Sequence, residues 1–390
     1  MGCVPVAEPA EGRFLIGVLS SANFVIGMGA FMVVGLLNPL AADMGMSAAA
    51  AGWVMTSYAI AYAVLSPLLV SGTGDLGRRR VLALGMALFA VGCAVSALAP
   101  NATVLFAGRM VASAGAGIFT PVAAAVAAGL SAPEQRGRTL AAVFFGLTLS
   151  QVFGVPLGGW IAYTFGWRSA FWLVAALAVP FIWLIWTRVP RGLRFQPVSL
   201  RDLGRVLRNG PVMLAVLFTT SFLGAIYVVY TFLSPLLSET MGWGRDGITL
   251  ALIVYGCGAV AGNLLGGVVA DRIGAGRTLL ILAMAQIAII PAFSFLPMPP
   301  ALLLLLMFVW PLFGWSFMAA QQMRLLALAP EAASVVLALN AAAIYVGAAV
   351  GSALGGVVLS RYGLSALGVG AALAGTGAVA HIILSRRLSG

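Results

Sequence analysis

The sequence predicts an all-α membrane protein, with twelve transmembrane helices in two pseudo-symmetric six-helix bundles. Three observations predict it. The 390 residues are 62% hydrophobic and only 8% charged, far from the balance of a soluble domain. Apolar stretches of roughly 20 to 28 residues recur, each long enough to cross about 30 Å of hydrocarbon as a helix. The second half also repeats the first at a shift of 196 to 197 residues. Leu37-Asn38-Pro39-Leu40 and Asp43 return as Leu233-Ser234-Pro235-Leu236 and Glu239, and Gly154, Gly158, Gly159 and Gly166 return as Gly351, Gly355, Gly356 and Gly363. A repeat this long is a duplicated domain of about six segments, not a solenoid period. Two such halves in an apolar chain describe a machine that rocks about a central site.

Taken in order, the spans of residues 1–188 centre near Met28, Ile60, Phe89, Ala116, Gln151 and Ala178. Phe14 to Leu40 carries no charge and is much longer than a signal-peptide core, so it reads as a retained helix. Residues 189–210 form a linker. There Arg201, Arg205 and Arg208 share one helical face and Leu200, Leu203 and Leu207 another, as in a short helix lying on the membrane surface; a solvated linker is the alternative. The spans of residues 211–390 centre near Gly224, Gly258, Met284, Gly314, Val346 and Ala374. No stretch is left over for a folded soluble domain.

All 21 basic residues are arginine, and the net charge is +11. With both termini cytoplasmic, seventeen arginines fall inside and only Arg168, Arg245 and Arg361 outside, while Arg109 lies within a span. That asymmetry fixes the orientation in a cell (inner) membrane. It also assigns the basic balance to a cytoplasmic membrane face and not to nucleic acid. Cys3, Cys93 and Cys257 have neither metal nor disulfide spacing, so no metal or cofactor is expected. Met1-Gly2-Cys3 lacks the Ser or Thr that N-myristoylation needs at position 6. Asn101-Ala102-Thr103 matches a glycosylation acceptor only formally, in a very short turn.

Two loops carry the clearest motif. The first reads Gly72-Thr73-Gly74-Asp75-Leu76-Gly77-Arg78-Arg79-Arg80, and its repeat partner reads Gly266-Gly267-Val268-Val269-Ala270-Asp271-Arg272-Ile273-Gly274. Both resemble the signature loop of the major facilitator superfamily, Gly-x-x-x-Asp-Arg-x-Gly-Arg-Arg. A tight glycine turn joins two helices there, and an Asp at the membrane surface can cap a helix N-terminus in the other half. The resemblance implies the major facilitator fold, with Asp75 facing the start of the eleventh span near Ser334 and Asp271 facing the start of the fifth near Arg138. Such contacts hold a gate shut and break when the halves rock. The first loop is one residue short and lacks the Arg expected after Asp75; only Arg272 keeps it.

In the fifth span, Gly146, Ser150, Gly154 and Gly158 recur every fourth residue, beside Pro156 and Gly159. Small residues at this spacing let helices approach closely in lipid, and Pro156 adds a kink and frees a carbonyl. Gly154-Val155-Pro156-Leu157-Gly158-Gly159 is similar to the family's antiporter motif. With Gly166-Trp167-Arg168 and Phe171-Trp172 it resembles the twelve-helix drug and sugar efflux branch. Arg109-Met110-Val111-Ala112-Ser113-Ala114-Gly115 resembles the fourth-helix Arg motif of proton-coupled members, with Ser113 where Gly is usual. An intramembrane Arg is a functional hypothesis by default; snorkelling to the outer surface is the other reading of Arg109.

The resemblance implies a secondary active transporter that exports a small organic molecule by alternating access, coupled to protons, acting as a monomer in the bilayer. The acids complicate coupling. Glu8, Glu11, Asp43, Asp75, Glu134, Asp202, Glu239, Asp246, Asp271 and Glu331 all map to a terminus, loop or helix end. Coupling therefore falls to Asp43, Asp75 or Arg109, or the chain is a facilitator without proton coupling. His381 reads as a helix-terminal residue. The central cavity is expected among Asn23, Tyr58, Tyr62, Gln151, Tyr227, Tyr230, Tyr255, Trp310, Trp315 and Asn340. Aromatics with few charges suit a neutral or cationic, partly apolar substrate. One His without a buried acid gives no catalytic pair, which argues against an enzyme. Paired gate loops argue against a passive channel, and a non-transporting sensor on the same fold is a further alternative.

Overall fold

A computed structural model describes residues 9–389 except 74–75, 132–134, 192 and 194–199, and leaves the side chains at 9–12, 136–138, 200–202, 333–334 and 388–389 undescribed. Among the described residues there are no strands. Twelve helices are long and apolar enough to cross a membrane: Arg13–Phe31, Ala48–Gly72, Arg78–Leu98, Ala102–Gly129, Thr139–Phe165, Trp167–Arg188, Gly210–Met241, Arg245–Ile273, Ala275–Phe295, Pro300–Leu328, Val335–Tyr362 and Leu364–Arg387. They are called the first to twelfth spans below, and each contains the centre the sequence predicts for it.

Short polar residues set several span starts. Ser47, Asn101 and Asn209 accept hydrogen bonds from the backbone N–H groups of Ala50, Val104 and Val212, each satisfying an orphan donor of a helix first turn. Asn101 is thus a helix cap. The apolar run after Phe14 is not one straight helix: it breaks at Met32 and resumes as Val33–Asp43. The seventh span breaks similarly at Thr231–Phe232 and resumes as Leu233–Met241.

The halves pack alike. The first span packs on the fifth as the seventh does on the eleventh, and the second on the fourth as the eighth does on the tenth. Glycines show that the match reaches residue level. A Cβ on Gly154 would stand 2.9 Å from Met28 Cβ, and one on Gly158 2.6 Å from Met32 Cβ. In the other half, a Cβ on Gly351 would stand 2.2 Å from the Gly224 carbonyl oxygen, and one on Gly355 2.6 Å from that of Val228. Residues 224 and 228 are Met28 and Met32 shifted by 196. The halves meet where the second span lies against the eleventh and the fifth against the eighth, a pair of contacts that a pseudo-twofold axis exchanges.

The fifth span departs from its repeat partner. Residues Ser150–Gly154 form a π turn, in which the Val155 N–H bonds to the Ser150 carbonyl. Pro156, next along, has no N–H to continue an α ladder, and the wider turn absorbs the break. The result is a π turn and not merely the kink that Pro156 predicts. In the linker, Leu200–Leu207 is helical; of the predicted apolar face Leu203 packs against the second half, while Leu207 does not. Val206 is buried against Val212, Val216, Val335 and Val336, whereas Leu207 is 49% exposed. The helix docks on the second half through Leu203 and Val206.

Candidate functional site

Five of the predicted cavity residues, Tyr58, Tyr62, Tyr227, Tyr230 and Tyr255, converge at the middle of the membrane where the halves meet, all at most 3% exposed. They form two adjoining clusters. In one, Tyr62 of the second span stacks on Tyr345 of the eleventh with ring centres 3.6 Å apart, and Phe31 and Tyr58 flank Tyr345 at 6.3 and 6.4 Å. In the other, Tyr230 stacks on Tyr255 at 4.5 Å, and Trp310 meets both edge-on. Tyr227 meets Tyr230 edge-on at 5.6 Å.

Polar groups tie the second cluster to the π turn. The Tyr230 hydroxyl donates to Gln151 Oε1 at 2.9 Å, across the two halves. Trp315 Nε1 donates to the Tyr255 hydroxyl at 3.1 Å, and Trp310 Nε1 to Gln286 Oε1 at 2.9 Å. The hydroxyls of Tyr58 and Tyr227 are buried and have no partner. Asn23 and Asn340 are elsewhere. Asn23 Nδ2 donates to the Val143 carbonyl and its Oδ1 accepts from Thr120. Asn340 Oδ1 accepts from Thr219 and Gln321. Each ties helices within its own half, and 143 and 340 are repeat partners, as are 23 and 219.

Phe31, Tyr345 and Gln286 belong to this core, and Gln321 to the Asn340 tie, without having been singled out in the sequence. Tyr345 lies one residue from the predicted centre of the eleventh span, so the mid-span criterion that selected the other tyrosines selects it too. Phe31 is the repeat partner of Tyr227, a second available signal.

Arg109 is fully buried and does not snorkel. Its Nη1 and Nη2 donate to the carbonyls of Gly29 and Ala30, at 2.7 and 3.1 Å. Those carbonyls sit in the last turn of the first span, just before the break at Met32, where helix carbonyls lack partners and the dipole is negative. The guanidinium also lies 4.3 Å from the centre of the Tyr58 ring and 5.4 Å from that of Phe171. Carbonyls, a helix end and two π faces thus stand where a carboxylate would otherwise be. The repeat partner is Leu306, so this charge is a feature of one half only.

The gate-loop residues are less connected. Asp75 lies outside the described residues, as do the side chains of Ser334 and Arg138. Asp271 and Arg272 are exposed at the end of the eighth span. Gly274 adopts φ +86°, which a side chain would strain, whereas Gly77 has φ −58°. Arg78 is buried, Arg79 donates to the Trp186 carbonyl at 3.1 Å, and Arg80 is exposed. His381 Nδ1 shares a hydrogen bond with Ser221 of the seventh span, so it ties two helices together.

At the arginine-poor face, Arg168 pairs with Asp43, donates to the Ala99 carbonyl at 3.1 Å and stacks on Trp167, whose Nε1 also reaches Asp43 at 3.0 Å. The hydrogen bonds from Arg168 and Trp167 hold the Asp43 carboxyl below the usual carboxylate range. The same face holds the halves together: Tyr163 with Ser234 at 3.0 Å, Arg245 with Thr164 at 3.3 Å, and Ser352 with the Gly52 carbonyl at 3.1 Å. The deepest such bond towards the arginine-rich face, among the described residues, joins Asn263 to Thr148 at 3.3 Å. This conformer is closed at the arginine-poor face.

The comparisons with known proteins agree on one family. Residues 19–352 match the model of the Major Facilitator Superfamily. The chain is 32% identical to the inner membrane transport protein YdhP of Escherichia coli K12, with 88% of each chain covered. It is 30% identical to a chloramphenicol resistance protein of Streptomyces lividans, again over 88% of each. Among solved structures it is similar to the nucleoside transporter NupG, with a TM-score of 0.75, 14% identity, and 96% of this chain and 99% of that one covered. A bacterial homologue of the human lysosomal transporter Spinster, inward-facing and occupied, gives a TM-score of 0.75 at 16% identity over 98% of both chains.

Proposed function

The chain belongs to the major facilitator superfamily, a family of membrane transporters and not of enzymes, and from that premise we propose that it exports a small, partly apolar organic molecule by alternating access. The observation that carries this reading is the aromatic site at the midplane. It is built from both halves, and among the described residues the hydrogen bonds that bridge the halves lie there and on the arginine-poor side, apart from Asn263–Thr148. With the arginine-rich face cytoplasmic, the conformer is shut to the outside. Export is supported by the antiporter-like Gly154, Pro156, Gly158 and Gly159, whose glycines pack the fifth span against Met28, Met32 and Gly35, and by the chloramphenicol resistance for which one relative is named. A null strain tested for sensitivity and accumulation against a chemical panel that includes chloramphenicol checks it. Unchanged accumulation of every compound, together with no counterflow in proteoliposomes, removes the reading. The transport unit is one chain.

Proton antiport is the coupling the family resemblance supports, with Arg109 and Asp43 as its candidate groups. A second reading, a facilitator, is favoured by the position of the acids: among the described residues each lies at a span end or loop. The sign of the Asp43 shift matters here. A lowered carboxyl pKa keeps the group ionised through neutral pH and makes the Arg168 contact fail only as pH drops below the usual carboxylate range. Asp43→Asn is therefore expected to change transport by no more than a few-fold, since exposed ion pairs contribute little, and to leave its pH profile around neutrality unmoved. A neutral-range inflection that disappears in Asp43→Asn would make Asp43 the proton carrier.

A further inference from the structure

We infer that the exported molecule is a neutral compound with a flat aryl group and hydrogen-bond acceptors, and that its ring takes the slot now filled by Tyr345. This rests on the transport reading above and adds the chemical class of the cargo. Tyr345 lies nearly parallel to two rings of the other half, 12° from Phe31 and 18° from Tyr62. A side chain of one half laid against rings of the other marks a place where any flat aromatic group gains the same stacking. The contact also separates when the halves part, which gives a competing ring its opportunity.

Two unpartnered donors accompany the slot. The hydroxyls of Tyr58 and Tyr227 are fully buried without a hydrogen bond, and both lie within electrostatic reach of the Tyr345 hydroxyl. Buried polar groups are rarely left unpaired, because they have given up water for nothing. A carbonyl, nitro or ether oxygen on the cargo would satisfy them.

Charge is decided by Arg109. An aromatic cage alone would suit a cation, but the guanidinium already occupies one face of Tyr58, 4.3 Å from the ring centre. No acid among the described residues lies near the midplane to balance it. The Tyr345 ring is 6.4 Å from the Tyr58 ring, so a ligand there sits within roughly 11 Å of the guanidinium. At an effective dielectric of about 20, that repulsion disfavours a unit positive charge by about tenfold. A cation would also lose water without gaining a carboxylate. The core that the aromatics make hospitable to flat molecules is made inhospitable to cationic ones.

The test compares probes on the full chain in lipid nanodiscs by intrinsic tryptophan quenching. The neutral probes are chloramphenicol and 4-nitrobenzamide, and the cationic probe is tetraphenylphosphonium. The neutral probes are expected to bind at least about tenfold more tightly than the cation. The Tyr58→Phe/Tyr227→Phe double variant should weaken them several-fold at an unchanged melting temperature, and Tyr345→Ala should tighten them by removing the competing ring. Equal or tighter binding of tetraphenylphosphonium, an unchanged double variant, or no binding of either neutral probe overturns the inference. Counterflow in proteoliposomes separates the two readings. Robust cation exchange would sink the cargo class and leave transport standing, whereas selective binding of the neutral probes with no counterflow of any compound would do the reverse.

Discussion

Gly256→Val is expected to leave the protein folded in the membrane and to reduce transport by one to two orders of magnitude. Gly256 lies mid-way along the eighth span, where it meets the π turn of the fifth. A Cβ there would stand 2.4 Å from Val152 Cα and 2.7 Å from the Gln151 carbonyl oxygen. Both are backbone atoms, so no rotamer change relieves the clash. The contact joins the two halves, and the cost falls on the closed conformer alone. Overpacking of about 1–3 kcal/mol shifts a two-state equilibrium by roughly 5- to 150-fold. Gly146→Val supplies the contrast. Its Cβ would press on the Ser20 carbonyl inside the first half, so the loss should appear as reduced membrane yield and melting temperature. Gly17→Ala, with nothing within 4 Å, should match the parent in both assays. Normal counterflow by Gly256→Val, or equal loss of yield in all three variants, would show that this contact does not gate the cycle.

Much of this fold was legible in the chain because lipid imposes a simple rule. Backbone groups must pair within a helix, so apolar length gives the spans and the 196-residue repeat gives their pairing. The glycines that let the first and fifth spans touch were visible for the same reason, at Gly154 and Gly158 and again at Gly351 and Gly355. What was hidden depends on where a chain departs from that rule. The break at Met32 has no proline or charge within four residues as a marker, whereas the break at Thr231 lies four residues before Pro235, which cannot donate to the Thr231 carbonyl. The π turn at Ser150–Gly154 follows from Pro156, but its five-residue extent follows from packing.

The candidate site was legible as a composition and illegible as a constellation. Mid-span tyrosines marked the right depth, yet depth does not say which ring stacks on which. Asn23 and Asn340 had the same signature as Gln151, and only the contacts separate two ties within a half from a bond across the halves. Arg109 shows the limit most sharply. Distance from the span centre suggested an escape to the surface, and the carbonyls that hold it belong to residues eighty positions away, exposed as acceptors by a break the sequence does not announce. The scaffold is symmetric, but Arg109, Tyr345 and Arg168 have no repeat counterparts of the same chemistry. Asymmetric chemistry on a symmetric frame is what lets one cavity treat its two faces differently.

That reading makes a charge-preserving replacement the decisive one. Arg109→Lys is expected to lower stability by about 2–5 kcal/mol and to transport poorly, although the charge is kept. A guanidinium spans two carbonyls with separate nitrogens, at 2.7 Å to Gly29 and 3.1 Å to Ala30, and lies 4.3 Å from the centre of the Tyr58 ring. An ammonium on a shorter reach keeps at most part of that arrangement. Losing one charged hydrogen bond costs about 1.5–3 kcal/mol, and losing the ring contact about 0.5–2 kcal/mol. Arg109→Met removes the charge too. It leaves both carbonyls unpaired, at about 1–3 kcal/mol each, but it also removes the several kcal/mol spent on burying an ion with no carboxylate partner. The neutral variant should therefore melt no lower than the lysine variant. Melting temperatures of the purified proteins, read beside counterflow, decide it. If Arg109→Lys matches the parent in both, the site asks only for a positive charge, and the fork that joins the fourth span to the broken end of the first has no part in holding the bundle.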